Sequence, residues 1–317
     1  MALGEFDLIE RYFTRRPRRS DVLVGVGDDA ALLEVPAGQA LVAATDTLVE
    51  GRHFLADAPA RSVGHQALAV NLSDLAAMGA DPAWALLSLS IPEVREDWLA
   101  EFAAGFYALA DAHGVELVGG DTVRGPLVVT VQALGFVDPV VALKRSGAQP
   151  GDAIYVSGTP GEAAAGLAAL RRGARLDEQH PLQHRYLYAE PRLALGRALR
   201  GRATAAMDVS DGLLGDLGKL CAASGVGATV ELDALPVSAA LRAELSRDEC
   251  ECVVLSGGDD YELLFTLPAA EAGRYEVALR ETLAITRIGR IVAGHAVRCE
   301  RAGVAVDVAS RGYDHFA

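Results

Sequence analysis

The sequence predicts a two-domain protein of α/β (or α+β) class. Its 317 residues are enough for two domains, each with its own core. Apolar residues make up 51% and charged residues 23%, the ordinary balance of a globular chain. Segments of strand character and segments of helical periodicity mix on both sides of a stretch rich in proline and glycine, from about 138 to 152.

Taken in order, residues 22–26 and 40–46 read as short apolar strands, with Pro36-Ala37-Gly38 as the turn between them. Residues 60–78 read as a helix, because Leu68, Leu72 and Leu75 form one stripe at helical spacing. Asn71 and Asp74 stand three apart and share a face beside that stripe. A second helix over 97–112 stops near Gly114. Residues 115–118 and 127–137 read as strands. Pro139, Gly147, Pro150 and Gly151 then mark a boundary, giving domains 1–137 and 138–317. Beyond it, 154–156 reads as a strand, 162–172 as an alanine-rich helix and 173–190 as a polar loop or irregular helix. Leu213, Leu217 and Leu220 mark a helix starting just after Ser210-Asp211. Residues 261–267 read as a strand and 285–308 as further short strands.

The formal charge is −14, which argues against broad binding to nucleic acid or an anionic membrane. It leaves nucleotides open, provided cations bridge the like charges. The first twenty residues lack a signal-peptide pattern, and the apolar stretch near 83–92 is too short to span a bilayer. Four cysteines in so long a chain make no disulfide framework, and Cys250 and Cys252 are a lone pair with no second one to share a metal. A cytoplasmic protein is expected.

The chemistry lies in a recurring pairing of glycine and acid: Gly25-Val26-Gly27-Asp28-Asp29, Gly119-Gly120-Asp121-Thr122, Asp208-Val209-Ser210-Asp211-Gly212 and Gly257-Gly258-Asp259-Asp260. Thr45-Asp46-Thr47 and Asn71-Leu72-Ser73-Asp74 add more acids. Glycine lets backbone approach a ligand, and carboxylates hold Mg²⁺, a hard cation that prefers oxygen. Together they point to metals set between protein and polyphosphate, hence to phosphoryl transfer. Each motif has a plainer reading. Residues 25–30 match the dinucleotide pattern G-x-G-x-x-A, but Pro36 ends the following segment before a helix can form, which leaves an acidic turn or a metal site. Thr45-Asp46-Thr47 alone reads as the turn or cap closing a strand, Asn71 and Asp74 as a polar pair, and Asp121 as a turn residue. Asp208 to Gly212 reads either as a helix cap or as a helix N-terminus open to phosphate, with Asp208 and Asp211 holding Mg²⁺ and Ser210 on the nucleotide. No Walker A motif occurs: Gly215-Asp216-Leu217-Gly218-Lys219-Leu220 has the wrong spacing. Phosphate charge must then fall to metals and scattered bases such as Arg145. The run Arg15-Arg16-Pro17-Arg18-Arg19 reads as a solvated loop or a local steering patch, and His53 as a substrate contact.

Across nearly its whole length the chain resembles the thiamine-monophosphate kinase family. The resemblance rests on Gly27-Asp28-Asp29, Thr45-Asp46-Thr47-Leu48-Val49 and the stretch from Ala69 to Ala80. It continues through Gly119 to Thr122, Asp208 to Gly212, Ser256 to Leu263 and Gly312-Tyr313-Asp314-His315-Phe316. It implies a two-domain fold like aminoimidazole ribonucleotide synthetase, a homodimer formed through the N-terminal sheet, ATP as co-substrate and several Mg²⁺. The metal ligands it implies are Asp29, Thr45, Asp46, Asp74, Asp121, Asp208 and Asp211. The nucleotide contacts are Gly120, Asp121, Arg145 and Ser210; the substrate contacts are His53, Asp259 and Tyr313. Tyr313 reads either as stacking on the cationic thiamine ring with Phe316 behind it, or as a hydrophobic anchor of the tail. Asp259 stands where the family often has Glu, and Ala44 where relatives often carry Ser. Related activities, such as selenophosphate synthesis, would favour a reactive residue near the N-terminus, whereas the first cysteine is Cys221. A non-catalytic metal- and nucleotide-binding scaffold is the other competing class; product analysis separates it from an enzyme.

Overall fold

The computed structural model describes residues 4–280 and 284–308. The chain divides into two compact units. One holds the residues up to Leu75 together with Ala80–Val140; the other holds Ala76–Gly79 and the chain from Val141 onward.

The first unit runs α1 (Glu5–Phe13), β1 (Val22–Val24), β2 (Leu32–Leu33), β3 (Ala40–Val49), α2 (Ala60–Ala77), β4 (Asp81–Ile91), α3 (Glu96–His113), β5 (Glu116–Arg124) and β6 (Val128–Val137). Four strands form a sheet in the order β3-β6-β4-β5. β4 and β5 are parallel because α3 carries the chain back between them; the other pairs are antiparallel. The leucine stripe of α2 is fully buried, as are Phe102 and Phe106 of α3. The two helices touch through glycines: a Cβ on Gly105 would lie 1.9 Å from the Arg61 carbonyl oxygen, and one on Gly64 would lie 2.0 Å from that of Phe102. Gly114 stops α3 in a left-handed conformation, φ 66°. On the sheet, Trp84, Val118 and Phe136 form a separate apolar cluster. Val22, Ala31 and Leu33 of the β1–β2 hairpin pack on it.

Two sequence expectations change here. Thr45-Asp46-Thr47 does not close a strand; β3 continues through it to Val49. Gly119-Gly120-Asp121-Thr122 is not a turn but lies inside β5, paired with Leu86 to Leu89 of β4. In each case the pairing partner is remote in sequence, and it overrides the local signal of glycine or aspartate. The arginine run is an exposed loop, as one of its two readings had it, and much of its charge is paired rather than left for steering. Arg15 stacks on the Tyr107 ring at 3.3 Å and bonds Asp111, Arg18 also pairs with Asp111, and Arg19 pairs with Asp21.

The second unit runs β7 (Ala153–Ser157), α4 (Glu162–Arg171), α5 (Pro181–Leu187), α6 (Leu193–Leu199), β8 (Ala205–Val209), α7 (Leu213–Ser224), β9 (Gly227–Glu231), α8 (Ala239–Glu244), α9 (Arg247–Ser256), β10 (Glu262–Leu267), α10 (Ala272–Arg280), β11 (Ile285–Val292), β12 (Val297–Arg301) and β13 (Val304–Val306). Its sheet has the order β13-β12-β9-β11-β7-β10-β8, antiparallel except for β9 with β12. Leu213, Leu217 and Leu220 of α7 join Val156, Met207, Val209 and Leu264 of the sheet in one core. The segment 173–190 contains a true helix, α5, which starts with Pro181 in its first turn and buries Leu182, Tyr186 and Leu187.

Candidate active site

In the first unit the β1–β2 hairpin leaves a groove of about 800 Å³, bounded by α1, the loop Val26 to Ala31 and the strands β4 and β5. Asp29 reaches it from the hairpin loop, and Gly120 and Asp121 reach it from β5. Gly120 is required by its neighbours: φ is 151°, and a Cβ would fall 1.8 Å from the Leu87 carbonyl oxygen. Among the described residues, the charged ones lining the groove are Glu5, Asp28, Asp29 and Asp121, with no lysine or arginine.

Sheet register decides which other acids share that face. Asp121 pairs with Ser88, Ser88 with Thr130 and Thr130 with Thr47, whose hydroxyl lies 2.9 Å from that of Thr130. Thr45 and Thr47 therefore stand on the Asp121 face, and strand alternation puts Asp46 on the opposite one. Asp46 and Asp74 are not part of the groove wall. His53 sits in the turn after β3. The Val49 N–H donates to its Nδ1 at 3.0 Å, so the neutral ring carries its proton on Nε2. Among the described residues no three His, Cys, Asp or Glu side chains converge closely enough to hold a metal ion on their own.

In the second unit two motifs far apart in sequence meet. The Asp259 N–H donates to the Ser210 carbonyl oxygen and the Tyr261 N–H to that of Val209, both at 2.9 Å. Glycine permits this contact: a Cβ on Gly258 would lie 2.6 Å from the Ser210 carbonyl oxygen, and one on Gly212 would lie 2.8 Å from that of Ser256. Asp259 and Tyr261 both take left-handed backbone, φ 64° and 52°. For a non-glycine residue that costs on the order of 1 kcal/mol each. Burial pushes the Asp259 carboxyl up to about 6; Tyr261 and Arg171 pull against this, and the charge of Asp211 adds to it. Burial also raises its neighbour Asp260 well above the usual carboxylate range.

The helix N-terminus differs from the sequence expectation. Gly212, not Ser210 or Asp211, precedes α7 as its cap. The N–H groups of Ser210 and Asp211 are not free for phosphate, because both donate to Asp216 Oδ2 at 3.0 Å. Asp216 is fully buried, and Lys219 bonds both it and Asp211. Burial works against the Lys219 ammonium, but its two carboxylate partners outweigh that and raise its pKa. The Gly-Lys segment that fails as a Walker motif is thus the brace of this turn. Asp208, in β8, is buried and pairs in register with Leu263. Arg145 is exposed, and its carbonyl oxygen accepts from the Ser224 hydroxyl. Tyr313 and Phe316 lie outside the described residues.

Sequence reasoning missed a buried ionic network beside this turn. Glu262 accepts from Arg192 and Arg185, and Arg185 also donates to the Asp260 carbonyl oxygen. The signal available was a charged residue opening a strand, Glu262 to Leu267, in which no other residue is charged.

A family model described as AIR synthase related protein, N-terminal domain, matches residues 27–137, and the corresponding C-terminal domain model matches residues 149–312. The thiamine-monophosphate kinase of Salmonella typhimurium is 49% identical over 323 residues, covering 100% of this chain and 99% of its own. A crystal structure of thiamine-monophosphate kinase from Stenotrophomonas maltophilia K279a is 49% identical with a TM-score of 0.87, over 96% of this chain and 99% of that one. The solved complex of AaThiL with AMPPCP and TMP is 32% identical with a TM-score of 0.79, over 99% and 97% of the two chains.

Proposed function

Because this chain belongs to the thiamine-monophosphate kinase family of AIR synthase related proteins, we propose that it transfers the γ-phosphoryl group of ATP to the phosphate of thiamine monophosphate, giving thiamine diphosphate and ADP. The observation that carries this reading is the AaThiL relative solved with AMPPCP and TMP.

The groove supports a need for divalent cations. Its donor atoms include carboxylate and hydroxyl oxygens, which suit Mg²⁺, and among the described residues no lysine or arginine lines it to meet a polyphosphate. Asp29 and Asp121 in the groove, Thr45 on the same sheet face, and Asp208 and Asp211 in the second unit are the proposed Mg²⁺ ligands; Asp46 and Asp74, which lie off the groove wall, join them on family membership alone. When bound, the ions would offset phosphate charge and align donor with acceptor. Gly120, Asp121, Arg145 and Ser210 are assigned to the nucleotide. His53, Asp259 and Tyr313 are assigned to the acceptor. In this reading, residues 1–137 carry the nucleotide groove and the homodimer contact, and residues 138–317 supply Asp259 and the remaining ligands.

The acceptor is itself a phosphate with a second pKa near 6, so near neutral pH its oxygen is already anionic and needs no general base. The protein's task is to hold two anions in line at short range. Transfer is then direct, with no phospho-enzyme. A chiral γ-phosphorus should emerge inverted, and retention would rule direct transfer out. The deciding experiment incubates the protein with ATP, Mg²⁺ and thiamine monophosphate, with unphosphorylated thiamine as control. Thiamine diphosphate should form in the first mixture only; its absence would overturn the reading.

A further inference from the structure

Glu262 opens β10 directly after the left-handed turn at Asp259 to Tyr261, and its side chain is 1% exposed. A carboxylate that deep needs several donors. It has four: Arg192 Nη2 at 2.5 Å, Arg192 Nε at 2.8 Å, Arg185 Nη2 at 3.0 Å and Ser157 Oγ at 2.5 Å. Gly158 leaves the room for it, since a Cβ there would lie 2.2 Å from Glu262 Oε1. Arg185 passes the constraint upward: its Nη2 also donates to the Asp260 carbonyl oxygen at 3.3 Å, while its Nε pairs with Glu162. The Gly161 N–H donates to Asp260 Oδ2 at 2.7 Å. The turn is thus gripped on one side by Ser210 and Val209 and on the other by this network.

Left-handed non-glycine residues persist only where their surroundings over-determine them. A buried ion pair is weak evidence for stability, because apolar side chains of the same volume often serve as well. A forked, charged grip has direction, which apolar packing lacks. We propose that Glu262, with Arg185 and Arg192 locked onto it, is a positioning residue that fixes the strained turn and so sets where Asp259 meets the acceptor. This rests on the reading of Asp259 as an acceptor contact.

The test is steady-state kinetics on Asp259→Asn, Glu262→Gln and the double variant, with Arg192→Lys and Ser157→Ala beside them. Glu262→Gln should raise KM for thiamine monophosphate roughly 10–100-fold while KM for ATP moves less than about twofold. The double variant should be no worse than the poorer single one, because both changes act on one contact. Arg192→Lys keeps the charge and loses the fork, and should raise the same KM to a lesser degree. If Asp259→Asn leaves that KM unchanged, Asp259 is not an acceptor contact and the premise falls. If Asp259→Asn raises it and a folded Glu262→Gln does not, or the two effects multiply, the positioning role is overturned. Should Glu262→Gln fail to fold, Arg192→Lys and Ser157→Ala decide: an unchanged KM in both refutes the proposal.

Discussion

Asp29 and Asp121 are exposed in the groove and make few demands on the fold. Asp29→Asn and Asp121→Asn keep the shape and remove one charge each. Activity should fall by at least ~100-fold. In EDTA the thermal midpoint should shift by no more than about 2 °C. Full activity in either variant removes that residue from the site. Asp259 behaves in the opposite sense. Burial raises its carboxyl to about 6 from an ordinary 3.8, so the folded protein holds the proton more tightly than the unfolded chain does. Stability from this group is therefore complete below pH ~3.8 and is lost as pH rises through about 6. Asp259→Asn, which tolerates left-handed backbone, should be more stable than the parent at pH 7 in EDTA, and the gain should vanish towards pH 4. Parallel stability curves for the two proteins would show that the carboxyl is not held in this way. The sequence showed these acids as motifs but not their burial. Asp216 read as part of a broken motif, whereas it takes two backbone N–H groups that the local pattern appeared to leave for phosphate.

At the scale of elements, the helices were legible where one face had to be apolar. The stripe of Leu68, Leu72 and Leu75 yields α2 to within a residue or so, and Gly114 ends α3 as its position predicts. Strands were legible only in part. β4 carries buried residues on much of both faces near Ala83, Trp84 and Ala85, so it shows no alternation there. β5 was cut short in the reading because two glycines and an aspartate look like a turn until β4 supplies their partners. The contact between α2 and α3 is a packing fact invisible to periodicity. Gly105→Ala adds a methyl where 1.9 Å is available against the Arg61 carbonyl. Alanine favours a helix by about 1 kcal/mol, yet the clash should dominate and destabilise the protein by roughly 1–3 kcal/mol. Denaturant unfolding measures the difference; a variant as stable as the parent would show that the helices separate without cost.

At the scale of the whole molecule, charge is the property that composition delivers most directly. The protein carries −14 and its two proposed substrates are both anions. Mg²⁺ offsets part of the ATP charge but leaves the complex negative, so approach to the protein is opposed over distances of a Debye length, about 10 Å at 0.1 M salt. Enzymes that steer anions through basic clefts lose association rate as salt is added. Here the arginines from Arg15 to Arg19 that could have supplied such a field are largely paired with Asp21 and Asp111, and the groove wall is acidic. The sign should therefore reverse. At fixed saturating free Mg²⁺, kcat/KM for ATP should rise as potassium chloride increases from about 10 to 100 mM, because screening weakens the repulsion. Stopped-flow binding of a fluorescent ATP analogue isolates the association step and should show the same trend. A rate that falls with salt would mean that a local positive field, with Arg145 the first residue to remove, outweighs the net charge.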